Sequence, residues 1–220
     1  MEQYQITCDQ ESLRVEGFPD AVKLIRLDDP KSRRISDLVL HRQDLEFADQ
    51  CLEAINTVSS NSQIQEALWR CSLIHFVKCF GNSAARFQLS FEKIYKSEPS
   101  EAKVAFEYFR NLRDKHVVHD ENSFSQSIPG AVLNARAKTP KIEKVLCLTV
   151  RAGTLEQENF GNLKLLIQKA LSWVISEFDM CCDIVIAELD GIPHDDLLAR
   201  DSVSYRAPGV EGVKENRRSK

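Results

Sequence analysis

Apolar residues recur at three- and four-residue steps through most of this chain, the period of helices that bury one face. Ile35, Leu38, Val39, Leu45, Phe47, Ala48, Leu52 and Ile55 trace the longest such stripe and predict a helix over about residues 34–58. A break at Asp28-Asp29-Pro30 precedes it. Residues 19–27 read as a short apolar helix, and 1–17 as polar and partly extended. Ser62 with Gln65 makes a capping box for the next helix, which runs to Phe80 and stops at Gly81-Asn82. Its second half, residues 73–80, is apolar nearly all round and belongs at the centre of a domain. His75 within it reads as a satisfied core residue rather than a catalyst.

A short helix is expected over 87–95. Another runs from Glu101 to about His116 and carries Ala105, Tyr108, Phe109, Leu112 and His116 on one face. The pattern then changes. Pro129-Gly130, an apolar run, the turn Lys138-Thr139-Pro140-Lys141 and a second apolar run over 142–150 predict a β-hairpin. Thr154 with Gln157 offers a second capping box, opening a helix expected to reach Leu189. The fold expected is mainly α: an antiparallel helical bundle with a small β-hairpin insertion. Residues 1–34 read as an N-terminal extension, 35–195 as the bundle with its hairpin at about 128–151, and 196–220 as a tail disordered at its basic end.

Composition narrows the chemistry. The chain of 220 residues, 43% hydrophobic and 28% charged, is ordinary for a globular protein, and 8 Gly with 7 Pro argue against a turn-rich all-β fold. No apolar run is long enough to span a bilayer, and the first residues lack a signal-peptide layout, so a cytoplasmic, non-membrane protein is expected. Seven cysteines cannot all pair internally, and without C-x-x-C or H-x-x-x-H they read as reduced thiols with no metal site. A net charge of −4 gives no broad attraction to nucleic acid, so any phosphate binding must come from a local cluster of cations. There is no Gly-rich phosphate loop and no G-x-S-x-G elbow. Asp195-Asp196 beside His194 read as a solvated loop.

One stretch looks chemical: Phe109-Arg110-Asn111-Leu112-Arg113-Asp114-Lys115-His116-Val117-Val118-His119-Asp120. Arg110 and His116 are separated by five residues, as are Arg113 and His119. A guanidinium holds phosphate, and an imidazole moves protons near neutral pH. An Arg and a His at this spacing arise about once by chance in such a chain, so the fuller string carries the weight. Charge pairing of Arg113 with nearby carboxylates, and His119 sitting as a cation near the last helical carbonyls, would be the purely structural reading.

Arg113-Asp114-Lys115-His116-Val117-Val118-His119, at the end of an aromatic-bearing helix, resembles the R-polar-x4-H motif of the HEPN superfamily (higher eukaryotes and prokaryotes nucleotide-binding domains). The resemblance covers about residues 35–190 and is nearest to the form found in bacterial toxin–antitoxin and abortive-infection proteins. Val118 stands where that form usually has Ala. The register 110/116 satisfies the same pattern, but 113/119 is favoured because His116 lines up with Phe109 and Leu112.

The resemblance implies a metal-independent endoribonuclease with no cofactor, acting as a homodimer with RNA between two facing motifs, as a toxin or phage-defence effector. It gives catalytic roles to Arg113, Asp114 and His119. His119 would take the 2′-hydroxyl proton or protonate the leaving oxygen, Arg113 would stabilise the phosphoryl charge, and Asp114 would orient either of them. Arg110, Lys115 and His116 are the candidate RNA contacts, with Lys103 nearby. The nucleotidyltransferase signature that often accompanies such toxins is absent, so an antitoxin would be a separate chain. A non-catalytic HEPN-like module for dimerisation and nucleotide, RNA or protein binding is the alternative, as is a purely structural protein. The hairpin would serve dimer contacts or RNA selection.

Overall fold

Asp29 and Pro30 open the first helix together. Asp29 Oδ1 accepts from the amides of Lys31 (2.8 Å) and Ser32 (3.0 Å), and the proline occupies the first helical position, where no N–H is needed. These bonds hold the Asp29 carboxyl below its usual range, the Ser32 hydroxyl contributing most. Helix α1 therefore runs Pro30–Thr57, one turn earlier than the apolar pattern suggests. The computed structural model describes residues 6–9, 12–15, 17–58, 61–119, 121–204 and 209–214.

The chain is mainly helical, with two small two-stranded antiparallel sheets. Strands β1 (Ile6–Asp9) and β2 (Ser12–Val15) pair in register from Ile6↔Val15 to Asp9↔Ser12. After α1 come α2 (Ser62–Lys78), α3 (Phe91–Ile94) and α4 (Ser100–Leu112), then a π-helical turn (Arg113–Val118). Strands β3 (Ser125–Leu133) and β4 (Ile142–Arg151) form the hairpin. Helices α5 (Gln157–Asp190) and α6 (His194–Leu198) follow, with a 3-10 turn at Val210–Lys214.

Two compact units share these elements. One draws on residues 1–43, 81–90 and 171–220, the other on 44–80 and 91–170. In the first unit, residues 19–27 are not a helix. Ile25 bridges Ser202, Arg26 N donates to Asp201 O (2.7 Å), and Val203 N donates to Leu24 O (2.9 Å). Backbone partners from the chain's last part thus outcompete a helix too short to stand alone. They also tie 201–203 into the unit, while residues 215–220, expected to be disordered, lie outside the described ones.

Phe87 is the other anchor of this unit. Its amide donates to Asp37 Oδ2 (3.0 Å), His41 Nε2 bonds its carbonyl (2.7 Å), and the Arg34 guanidinium lies 4.5 Å over its ring. The His41 bond engages the carbonyl that a helix starting at Phe87 would use for its first turn, and α3 is only Phe91–Ile94.

The second unit holds the larger core. Leu45, Ala48 and Leu52 of α1 are buried, as are Trp69, Leu73 and Phe76 of α2, Phe106, Phe109 and Leu112 of α4, and Leu163 and Ile167 of α5. An aromatic cluster knits α2, α3 and α4: Phe106 lies 4.8 Å from Phe80, 4.9 Å from Phe91 and 6.0 Å from Phe76, mostly edge-on or tilted. Phe47, expected in the buried stripe, is at its margin and packs on His75 at 4.6 Å.

Neither expected capping residue stands immediately before its helix. Asn61, not Ser62, caps α2, its Oδ1 accepting from Gln63 N and Ile64 N at 3.1 Å each. Thr154 is buried three residues before α5, where its hydroxyl accepts from Trp69 Nε1 at 3.0 Å. At the other end of α2 the helix closes on right-handed Cys79 instead of at Gly81. Six described cysteines form no disulfide, with Cys71 and Cys147 exposed.

Tyr95 gives this unit a pH signature. Its buried hydroxyl donates to Leu166 O at 2.7 Å, and burial raises the phenol far above its ordinary range. A raised folded-state pKa contributes stability below the unfolded value and loses it as pH rises further. Unfolding free energy should therefore fall above about pH 10, and Tyr95→Phe should flatten that decline in urea titrations at successive pH values.

Candidate active site

Helix α4 presents two different faces. Phe106, Phe109 and Leu112 are buried, whereas Lys103, Glu107, Arg110 and Asn111 are exposed. Beyond Leu112 the winding widens into the π-helical turn, a local insertion that tends to mark functional positions in helices. Glu121 N closes the end of this turn on Lys115 O at 2.6 Å. His119 then leaves the helix at φ −117° and ψ −5°, the sparsely allowed bridge region, and its side chain is exposed.

Arg113 is half-buried, and its Nη1 donates to Asp114 Oδ1 at 2.5 Å. Its Nε is buried with no hydrogen-bond partner among the described residues. Of the two groups that Asp114 was expected to orient, it holds the arginine. Arg113 is held by Asp114, and among the described residues neither bonds His119. Arg110 and Lys115 are exposed at the same helix end and free to meet a phosphate. Val118 is also largely exposed and turned away from the packed interior. Asp120 lies outside the described residues.

His116 does not suit the RNA contact assigned to it. It is only 6% exposed and packs edge-on against Phe124, ring centroids 5.6 Å apart. Both its ring nitrogens are buried without partners among the described residues. Its register with Phe109 and Leu112 takes it into the core, so the 110/116 pairing cannot present an imidazole to solvent. An unsatisfied buried polar group costs about 1–3 kcal/mol. His116→Leu should therefore raise the unfolding free energy by about 1 kcal/mol, read from urea denaturation.

The second polar constellation of this unit escaped the sequence. His75 Nδ1 meets Asp44 Oδ1 at 2.7 Å and Lys78 Nζ meets the same oxygen at 3.0 Å. His75 is satisfied, as expected, but it is half-buried rather than central. It lies 31 positions beyond Asp44, so no local pattern announces the pair. Among the described residues no hydroxyl or thiol bonds the His75 ring, since the Cys79 thiol donates only to the His75 backbone carbonyl at 3.4 Å, and the trio acts as a tie between α1 and α2.

Among the described residues no three His, Cys, Asp or Glu side chains converge as a metal-binding set, and no helix is long and apolar enough to cross a membrane. Comparison with known proteins brings no match: no family model, no curated protein and no solved structure matches the chain.

Proposed function

We propose that the chain is a HEPN-type endoribonuclease that cleaves RNA by attack of a 2′-hydroxyl on the adjacent phosphate, without a metal or cofactor. One observation carries the reading: an exposed histidine, His119, stands in bridge-region backbone at the end of a π-helical turn that begins with an ion-paired arginine. Two copies would face each other across the RNA. One His119 accepts the 2′-hydroxyl proton while the other gives a proton to the departing 5′-oxygen. Arg113, steadied by Asp114, bears the charge that develops on the phosphoryl oxygens. Arg110 and Lys115 hold flanking phosphates. The bond that forms is 2′-O to phosphorus and the one that breaks is phosphorus to 5′-O, leaving a 2′,3′-cyclic phosphate and a 5′-hydroxyl.

A cellular role as a toxin or phage-defence effector, restrained by an antitoxin encoded as a separate protein, is part of the same proposal. The test is to incubate purified protein with single-stranded RNA in EDTA and identify the new ends. Cyclic phosphate ends support the reading; intact RNA at high enzyme overturns it. The second reading, a non-catalytic HEPN-like binding module, is favoured by the Arg113–Asp114 pair, which already occupies part of the guanidinium. It predicts RNA retention without cleavage.

A further inference from the structure

The β3–β4 hairpin is built of the wrong residues for a solvated arm. Ile128, Val132, Leu146, Leu148 and Val150 share one face of it and are 42–60% exposed. Two strands alone are marginally stable in water, and a third strand usually completes them. Within its unit, neither strand packs along another named element; only at the foot of β4 does Arg151 line an open pocket with Gln63, Glu66 and Arg70 of α2.

The ladder shows which edge is open. Ala152 N donates to Phe124 O at 2.8 Å, so 124/152 is a hydrogen-bonded pair. In an antiparallel ladder such pairs alternate with non-bonded ones. Ser125/Arg151 and every second pair after it, including Pro129/Cys147, are then non-bonded. This is where a proline without an N–H fits. Val145, Cys147 and Thr149 consequently direct their amides and carbonyls outward from β4. On the β3 side Pro129 interrupts the corresponding row. Between Lys144 and Arg151 the open edge carries no charge, the composition that invites another strand.

We propose that this edge pairs with β4 of a second copy of the chain across a two-fold axis at Cys147, giving a continuous four-stranded antiparallel sheet. Self-complementarity selects that occupant and that register. Centred on Cys147, the pairing sets Leu146 opposite Leu148 and Val145 opposite Thr149, each twice, and brings Glu143, at the bulge where the β3–β4 register shifts, to the level of Arg151. Centred on Leu146 instead, it sets Lys141 against Arg151, a like-charge pair that destabilises. Arg151 makes no hydrogen bond or ion pair among the described residues. Glu143 receives Lys138 (2.8 Å) and Asn134 (2.7 Å) on Oε2, leaving Oε1 for the incoming guanidinium. These two bonds also steady the hairpin loop, so the arm is prepared before a partner arrives.

The inference concerns where two copies join, and the ribonuclease reading also needs two copies. Sedimentation velocity of the full chain at micromolar concentration is expected to show a dimer. Cys147→Pro should yield a monomer with unchanged circular dichroism, because the N–H it removes is unused in the lone hairpin. Arg151→Glu and Glu143→Arg should each weaken the dimer about tenfold, and the double reversal should restore it, a rescue that a misfolded variant would not give. Paired strands bring the two Cys147 Cα atoms within disulfide range. Mild oxidation should then link the chains, and Cys147→Ser should abolish the link. A dimer indifferent to Cys147→Pro and to both charge reversals overturns this proposal alone, whereas a monomeric wild type overturns it together with the two-copy ribonuclease reading. Lost cleavage with an intact dimer strikes only the ribonuclease reading.

Discussion

Replacing His119 by alanine is expected to slow RNA cleavage by about 100- to 10,000-fold, the usual worth of a positioned acid or base. The expectation is separable from stability. His119 is exposed and has no hydrogen bond among the described residues, so its loss should move the unfolding free energy by less than about 0.5 kcal/mol. Single-turnover cleavage of a labelled RNA in EDTA, beside a urea titration of the same preparation, reads both quantities. No neighbouring imidazole can stand in, since His116 is shut inside the core with Phe124. A variant that cuts at the wild-type rate therefore removes the motif from the chemistry altogether.

Trp69→Ala should lower the unfolding free energy by about 3–5 kcal/mol, a large part of the 5–15 kcal/mol typical of a domain. The indole is fully buried on α2, edge-on to Phe109 of α4 at 6.1 Å, and its Nε1 donates to Thr154 just ahead of α5. Truncation opens a cavity among three helices and strands a buried hydroxyl in the same stroke. Thr154→Val tests the polar share alone. It leaves the indole N–H unsatisfied and should cost about 1–3 kcal/mol. Urea denaturation of both variants separates the terms; a loss below about 1 kcal/mol for Trp69→Ala would mean that the site collapses to refill itself.

Long-period features were legible from the residues. The apolar stripes of α1, α2 and α5 announced those helices, and the paired β-rich runs announced β3 and β4, because each rests on a local repeat. What stayed hidden depends on partners distant in sequence. Residues 19–27 carry helix-like apolar content, yet bond residues 201–203 instead. Phe87 bonds Asp37 and His41, and Thr154 bonds Trp69.

At the candidate site the motif was visible and its geometry was not. Nothing in Arg113–Val118 marks a widened turn, because no spacing rule encodes where a helix takes up an extra residue. The burial of His116 was half legible, from its alignment with Phe109 and Leu112. The exposure of the hairpin's apolar face was not, since alternation reports that a strand has a covered side without naming the cover.

Phe124 belongs to two structures at once. Its carbonyl closes the foot of the hairpin and its ring walls in His116. The strand arm and the helix end are therefore not interchangeable parts that a lineage could trade separately. A change that refits one must also suit the other, so the insertion and the motif are bound to drift through sequence space as a single unit.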